Sequence, residues 1–179
     1  VIALLEKIFS RFDRHVEAMG VEKIKTIGDA YMVIAGAPQS REDHAELIAL
    51  LALTMLGELD AIRHETGLDI DLRVGIHSGP VIAGVIGSVR FSYDVWGDTV
   101  NTASRMESSC PYGGIQLSRS TFELLLDTEG LSPTGGIQVK GKGLMHTWVW
   151  KMPAAENTTA TLPAVAEGEI KAALSAVVE

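Results

Sequence analysis

The run Tyr93-Asp94-Val95-Trp96-Gly97-Asp98-Thr99-Val100-Asn101-Thr102-Ala103-Ser104-Arg105-Met106 constrains the fold more than any other stretch of the chain. It reads as a strand end, a glycine turn and then a helix. Asp98 after Gly97 has the pattern of an N-cap, whose carboxylate accepts the orphan amides of a first turn. Val100, Ala103 and Met106 fall to a packing side, while Asn101 and Arg105, four residues apart, share another face. A fixed amide beside a fixed guanidinium suits an anion. The same pair is also ordinary on a solvated helix, and the pattern alone leaves both readings open.

The rest of the chain supplies helices and strands in alternation. Val1, Leu5, Ile8, Phe12, Val16 and Met19 recur at three- and four-residue steps, predicting one buried helical stripe that Gly20 ends. Val21 to Lys25 and Ala30 to Ala35 have strand character, with a reversal at Thr26-Ile27-Gly28-Asp29. Asp43 and Glu46 mark the start of a long helix that runs through Ile62 to Gly67. Ile70, Leu72, Val74 and Ile76 alternate with Asp69, Asp71 and Arg73, the pattern of a strand with one buried face. Val81 to Ile86 reads as a second, more apolar strand, and Ile115 to Leu117 as a short one. Ser118 or Ser120 then caps a helix through Leu126, and Ile137 to Lys140 with His146 to Trp150 forms a closing hairpin. Trp148 and Trp150 share a strand face. Short connections favour hairpins over a uniform parallel sheet, so the expected class is α+β, a mostly antiparallel sheet flanked by helices.

Two sequence runs besides the central one carry a resemblance. They are Glu22-Lys23-Ile24-Lys25-Thr26-Ile27-Gly28-Asp29-Ala30-Tyr31-Met32 and Val139-Lys140-Gly141-Lys142-Gly143. In this order the three resemble the signatures of class III nucleotidyl cyclases, the adenylate and guanylate cyclase catalytic domain. The resemblance implies a ferredoxin-like core with added elements over residues 1–152, with 153–179 a tail or linker in which Glu167 to Val178 has a weak helical pattern. It also implies conversion of a nucleoside triphosphate to its 3′,5′-cyclic monophosphate and pyrophosphate, assisted by two divalent cations, Mg2+ or Mn2+. Asp29 matches the second of the family's two metal aspartates. The first belongs to a strand expected before Val1, so the chain reads as a trimmed fragment that would hold metal poorly.

By the same match, Lys25 and Asp94 contact the purine, Asn101 positions the ribose, Arg105 stabilises the α-phosphate and Lys140 reaches the terminal phosphates, with Lys142 a weaker match. Lys25 with Asp94 implies ATP, because lysine donates to the adenine ring nitrogen while aspartate accepts from the exocyclic amine. Sites at the interface of a head-to-tail homodimer are implied as well, with a monomer the alternative for the trimmed chain and upstream regulatory or membrane domains compatible with the family. The rival readings are a catalytically incomplete nucleotide-binding or regulatory module and, within the enzyme class, a guanylate cyclase.

Composition narrows the partners. At 179 residues and 46% hydrophobic the chain can bury one sizeable core, and a formal net charge of −8 argues against a nucleic-acid binder. Cys110 is the single cysteine, which excludes an internal disulfide and a multi-cysteine zinc site. With the ATP substrate it points to a cytoplasmic location. The longest apolar run, Leu47 to Leu56, is too short to span a bilayer.

Overall fold

The computed structural model describes residues 2–89, 91–151 and 170–178. Helix α1 (Ile2–Met19) buries Ile8, Phe12 and Val16, and ends where the Gly20 amide donates to the Glu17 carbonyl. Strands β1 (Glu22–Ile27) and β2 (Ala30–Ala35) pair antiparallel across a tight turn at Gly28-Asp29, where Gly28 takes φ +62°. That left-handed conformation is one a side chain disfavours. Helix α2 (His44–Thr66) follows. Asp43 sits at its N-cap position, but its carboxylate is held by Arg41 rather than by the helix amides, a correction to the expected capping.

Strand β3 (Ile70–Ser78) leads to β4 (Ile82–Ile86) and β5 (Ser92–Trp96), which form a separate two-stranded ribbon. Helix α3 (Asp98–Ser109), β6 (Gly114–Ser118) and the single-turn α4 (Arg119–Phe122) come next. The helix expected to reach Leu126 stops at Phe122, and the Ser118 hydroxyl bonds His77 instead of capping it. After β7 (Ser132–Pro133), β8 (Ile137–Val139) pairs with β9 (Gly143–Met145), and β10 (Thr147–Lys151) pairs with β6 and β7. The closing hairpin is therefore shorter than expected. The return strand of the hairpin is β9, whose Gly143 already pairs with Val139, and Trp148 lies beyond it, paired with Leu117 of β6 and Pro133 of β7.

Strand β11 (Ile170–Val178) runs parallel between β2 and β3. The helical pattern read there is overridden, since a strand at this place satisfies two neighbouring backbones at once. Residues 153–169 and 179 of the expected tail, with residue 152 before it, lie outside the described residues. The main sheet has the order β1-β2-β11-β3-β6-β10-β7, mixed in direction and flanked by helices, the α+β architecture expected.

Alternation along β2 and β3 splits the interior in two. Tyr31, Val33 and Ala35 join Leu72, Val74 and Ile76 beneath α1 and α2, while Met32 and Ile34 face Val95 and Ala103 on the α3 side. All four apolar positions predicted for β3 are buried. Each such side chain contributes about 1.5–3 kcal/mol. The α3 side is the thinner one, and it carries the candidate site.

Candidate functional site

A short contact between β3 and α3 fixes where the polar face of α3 stands. A Cβ on Gly75 would lie 2.0 Å from the Glu107 amide nitrogen and 2.5 Å from the Ala103 carbonyl oxygen, so only glycine lets the helix sit this close. Thr99, Thr102, Ala103 and Met106 are buried by the contact, leaving Asn101, Ser104 and Arg105 outward. The helix begins one residue earlier than expected. Gly97, at φ +140°, holds the N-cap position, and Asp98 is the first helical residue and makes no capping bond. Its carboxylate reaches Lys142 instead, at 2.5 Å.

The hairpin after β8 brings its lysines over that face. Asp98, Asn101, Thr102, Ser104 and Arg105 from α3 and Val139, Lys140 and Lys142 from the hairpin line one cleft of about 410 Å³. Three cations against one carboxylate make it a receptor for a polyanion. Asn101, Arg105 and Lys140 are thus brought together from two motifs about forty residues apart, an arrangement of the kind phosphate groups require. Behind the cleft, buried His77 exchanges hydrogen bonds through Nδ1 with Ser118 Oγ at 2.7 Å and Ser120 Oγ at 3.2 Å. Burial first, and then the positive charge of Lys142, pushes its imidazole down to about 4 against a weaker pull from Asp98. The ring is neutral at physiological pH.

A second pair forms between β1 and β5, the strand that leads into α3. A bulge on β1 at Ile24 breaks the alternation: Ile24 packs against the α3-side cluster and Lys25 extends to β5. Lys25 Nζ lies 2.6 Å from Asp94 Oδ2, and Asp94 Oδ1 accepts the Val95 amide at 2.9 Å. Burial pushes the Asp94 carboxyl up, but Lys25 and the Val95 amide outweigh it and hold the group below the usual range. The pair joins residues 69 apart in sequence. Being partly exposed, it is worth no more than about 1 kcal/mol and can be exchanged for a ligand at low cost.

Asp29 belongs to neither group. It stands exposed in the β1–β2 turn, and among the described residues its carboxylate takes no side-chain hydrogen bond or ion pair. An uncommitted carboxylate of this kind is the hard oxygen donor that Mg2+ or Mn2+ favours, usually with phosphate oxygens and waters completing the shell. No group of three or more His, Cys, Asp or Glu side chains able to hold a metal is found among the described residues. Of the implied pair, the exposed Asp29 carboxylate is in a state that would fit a divalent cation.

Sequence reasoning missed two features nearby. Arg73 Nη2 meets Glu107 Oε1 at 2.8 Å with the guanidinium 4.8 Å above the Tyr112 ring, and Glu107 is raised by burial, lowered by Arg73 and raised again by the charge of Asp29. The His77–Ser118–Ser120 cluster is the other. Neither has a periodic signal, because each joins strands and helices distant in sequence. Cys110 is buried, and burial pushes its thiol up to about 12, in keeping with the absence of any assigned role. Among the described residues no helix is long and apolar enough to cross a membrane.

Comparison with known proteins agrees with the geometry. Over 148 residues, 83% of this chain and 33% of the relative, the sequence is 47% identical to an adenylate cyclase of Mycobacterium tuberculosis. It is 43% identical over 152 residues to the receptor-type guanylate cyclase gcy-28 of Caenorhabditis elegans, covering 83% of this chain and 12% of that protein. The chain thus spans a third or less of these relatives. A crystal structure of the catalytic core of a rhodopsin-guanylyl cyclase with converted specificity, in complex with ATPαS, superposes with a TM-score of 0.75 at 38% identity, covering 85% of this chain and 83% of that one. The sequence profile of the adenylate and guanylate cyclase catalytic domain matches residues 1–152. With three separated motifs, a shared fold and a cationic cleft where two of those motifs meet, the chain belongs to the adenylate and guanylate cyclase catalytic domain family.

Proposed function

We propose that this chain is the catalytic domain of an adenylate cyclase, which converts ATP to 3′,5′-cyclic AMP and pyrophosphate at sites shared between two head-to-tail protomers. The observation that carries the choice of base is the 2.6 Å contact between Lys25 and Asp94. A donor and an acceptor held side by side match the edge of adenine, which offers a ring nitrogen acceptor next to an amine donor. Guanine offers the reverse order.

In this reading the reaction is attack of the ribose 3′-hydroxyl on the α-phosphorus, with pyrophosphate leaving. Asn101 orients the ribose, so that the hydroxyl is held in line with the bond that breaks. Arg105 lies one helical turn further on and stabilises the charge that builds on the α-phosphate oxygens, where a planar guanidinium fork is most useful. Lys140 takes the terminal phosphates. Asp29 would hold a divalent cation together with the aspartate that the resemblance puts in a strand before Val1. When bound, the cations lower the pKa of the attacking hydroxyl and neutralise the triphosphate.

Two observations support the shared site. Asp29 does not line the cleft formed by Arg105 and Lys140, as expected if it serves the site of the other protomer. The β4–β5 ribbon also projects Ile82, Val85, Ile86 and Phe91 with more than half of their surface exposed, a patch that a second protomer can cover. The guanylate cyclase reading is kept alive by the 43% identity to gcy-28. The double variant Lys25→Glu with Asp94→Cys separates the two: preference moves from ATP toward GTP if these side chains read the base. Unchanged ATP preference in a folded double variant rejects the assignment.

A further inference from the structure

We propose that Asp98 is a positioning residue that acts through Lys142, holding that lysine as an exchangeable counter-ion so that pyrophosphate is released from the cleft. The inference rests on the cyclase reading and deepens it at the polyphosphate end of the site.

Asp98 Oδ2 lies 2.5 Å from Lys142 Nζ, and both side chains line the cleft with Arg105 and Lys140. The carboxylate has no duty at the helix start, since Gly97 is the N-cap and no side-chain capping bond forms. The backbone beneath it is pinned, because Thr102 Oγ1 donates to the Asp98 carbonyl at 2.9 Å. Lys142 comes from a different element, the tight turn in which its amide donates to the Val139 carbonyl at 2.9 Å. Two fixed backbones thus present one pair. Arg105 and Lys140 line the same cleft, and buried His77, whose imidazole burial and the charge of Lys142 push down, adds no further positive charge beside the pair.

The pair is weak by construction, with 71% of the Asp98 side chain exposed. An incoming triphosphate displaces Asp98 from Lys142, and departing pyrophosphate is displaced in turn when the pair re-forms. Without the carboxylate, three uncompensated cations would retain the product.

The test uses inorganic pyrophosphate titrated calorimetrically into the folded protein, with kcat and KM measured alongside. Asp98→Asn is expected to tighten pyrophosphate binding roughly threefold to tenfold, the range for an exposed pair and its added repulsion. KM should fall and kcat should fall with slower product release, while kcat/KM rises, since the triphosphate is held more tightly in ground and transition states alike. In a Lys142→Met background the same substitution should alter pyrophosphate affinity less than about twofold, and Asp98→Glu should restore wild-type affinity, because coupling vanishes when one partner is gone. Unchanged affinity in Asp98→Asn overturns the proposal, as does equal tightening in the Lys142→Met background, which would make Asp98 a simple repulsive charge. If Asp98→Asn fails to fold, Asp98→Ser is judged by the same criteria. Failure of the cyclase reading is seen separately, as absence of cyclic nucleotide from the wild-type protein, since the titration needs no turnover.

Discussion

Replacing Gly75 by alanine tests the packing that places the site. The added Cβ would lie 2.0 Å from the Glu107 nitrogen, 2.5 Å from the Ala103 oxygen and 2.6 Å from the Glu107 Cα, all backbone atoms that no rotamer change can move. Ordinary contact begins at 3.4 Å, so α3 must retreat from β3 by about 1.4 Å. Overpacking of this kind costs roughly 1–3 kcal/mol, and the rigid neighbours put this case toward the upper end. For a domain of this size 2–3 kcal/mol lowers Tm by about 4–12 °C. The shift also carries Asn101 and Arg105 away from Lys140, and a displacement of about 1 Å at a reacting centre can cost roughly a hundredfold in rate. Urea unfolding followed by circular dichroism gives the stability, and cyclic-nucleotide formation by the folded variant gives the rate. A Gly75→Ala protein with wild-type midpoint and wild-type activity would refute both the packing argument and the claim that α3 sets the site.

Three further outcomes are expected. Arg105→Ala should lower kcat by roughly a hundredfold to a thousandfold with KM changed far less, as for loss of a donor engaged in the transition state; a selective rise in KM would assign Arg105 to ground-state binding. Phe91→Asp, on the exposed ribbon, should shift the protein toward monomer in analytical ultracentrifugation and make specific activity fall at low protein concentration, and an unchanged sedimentation profile would remove the ribbon from the interface. Glu65 is held down to about 2, first by its hydrogen bond from Arg11 and then by Lys7. Its folded pKa is below its unfolded value, so its stabilisation is present above about pH 4.5 and is lost as pH falls toward about 2. Glu65→Gln should flatten the acid limb of stability in that window, and an identical acid profile would show that the pair contributes nothing.

The sequence carried those parts of the fold whose signal is local. The buried stripe of α1, the alternation of Ile70 to Ile76 and the turn at Gly28-Asp29 follow from periodicity and glycine chemistry, and the structure has each of them. What pattern could not reveal are choices between competing partners. Asp98 has the residue type of a cap, yet a lysine 44 positions later takes its carboxylate. Asp43 is likewise diverted to Arg41. Trp148 and Trp150 have strand character in either pairing, and their place between β6 and β7 rather than against β8 depends on strands distant in sequence. The strand at 170–178 is decided by a place in the sheet between β2 and β3, which no local propensity registers.

The site divides in the same way. Asn101 and Arg105 share a face by helical spacing, as read from the chain itself. The meeting of Lys25 with Asp94 was legible only through resemblance, since a bulge at Ile24 sets the direction of the lysine. His77 and Arg73 gave no signal because their partners come from other strands and helices.

The most direct measurement is cyclic-nucleotide production with Mn2+ and either ATP or GTP, comparing the 179-residue chain with one extended upstream through the strand expected to carry the first metal aspartate. The account predicts cyclic AMP from the extended protein, little or no cyclic GMP, and much weaker activity from the shorter chain. Cyclic GMP as the main product would contradict the reading of Lys25 and Asp94, and no product from either protein at high concentration would contradict the assignment as an active cyclase.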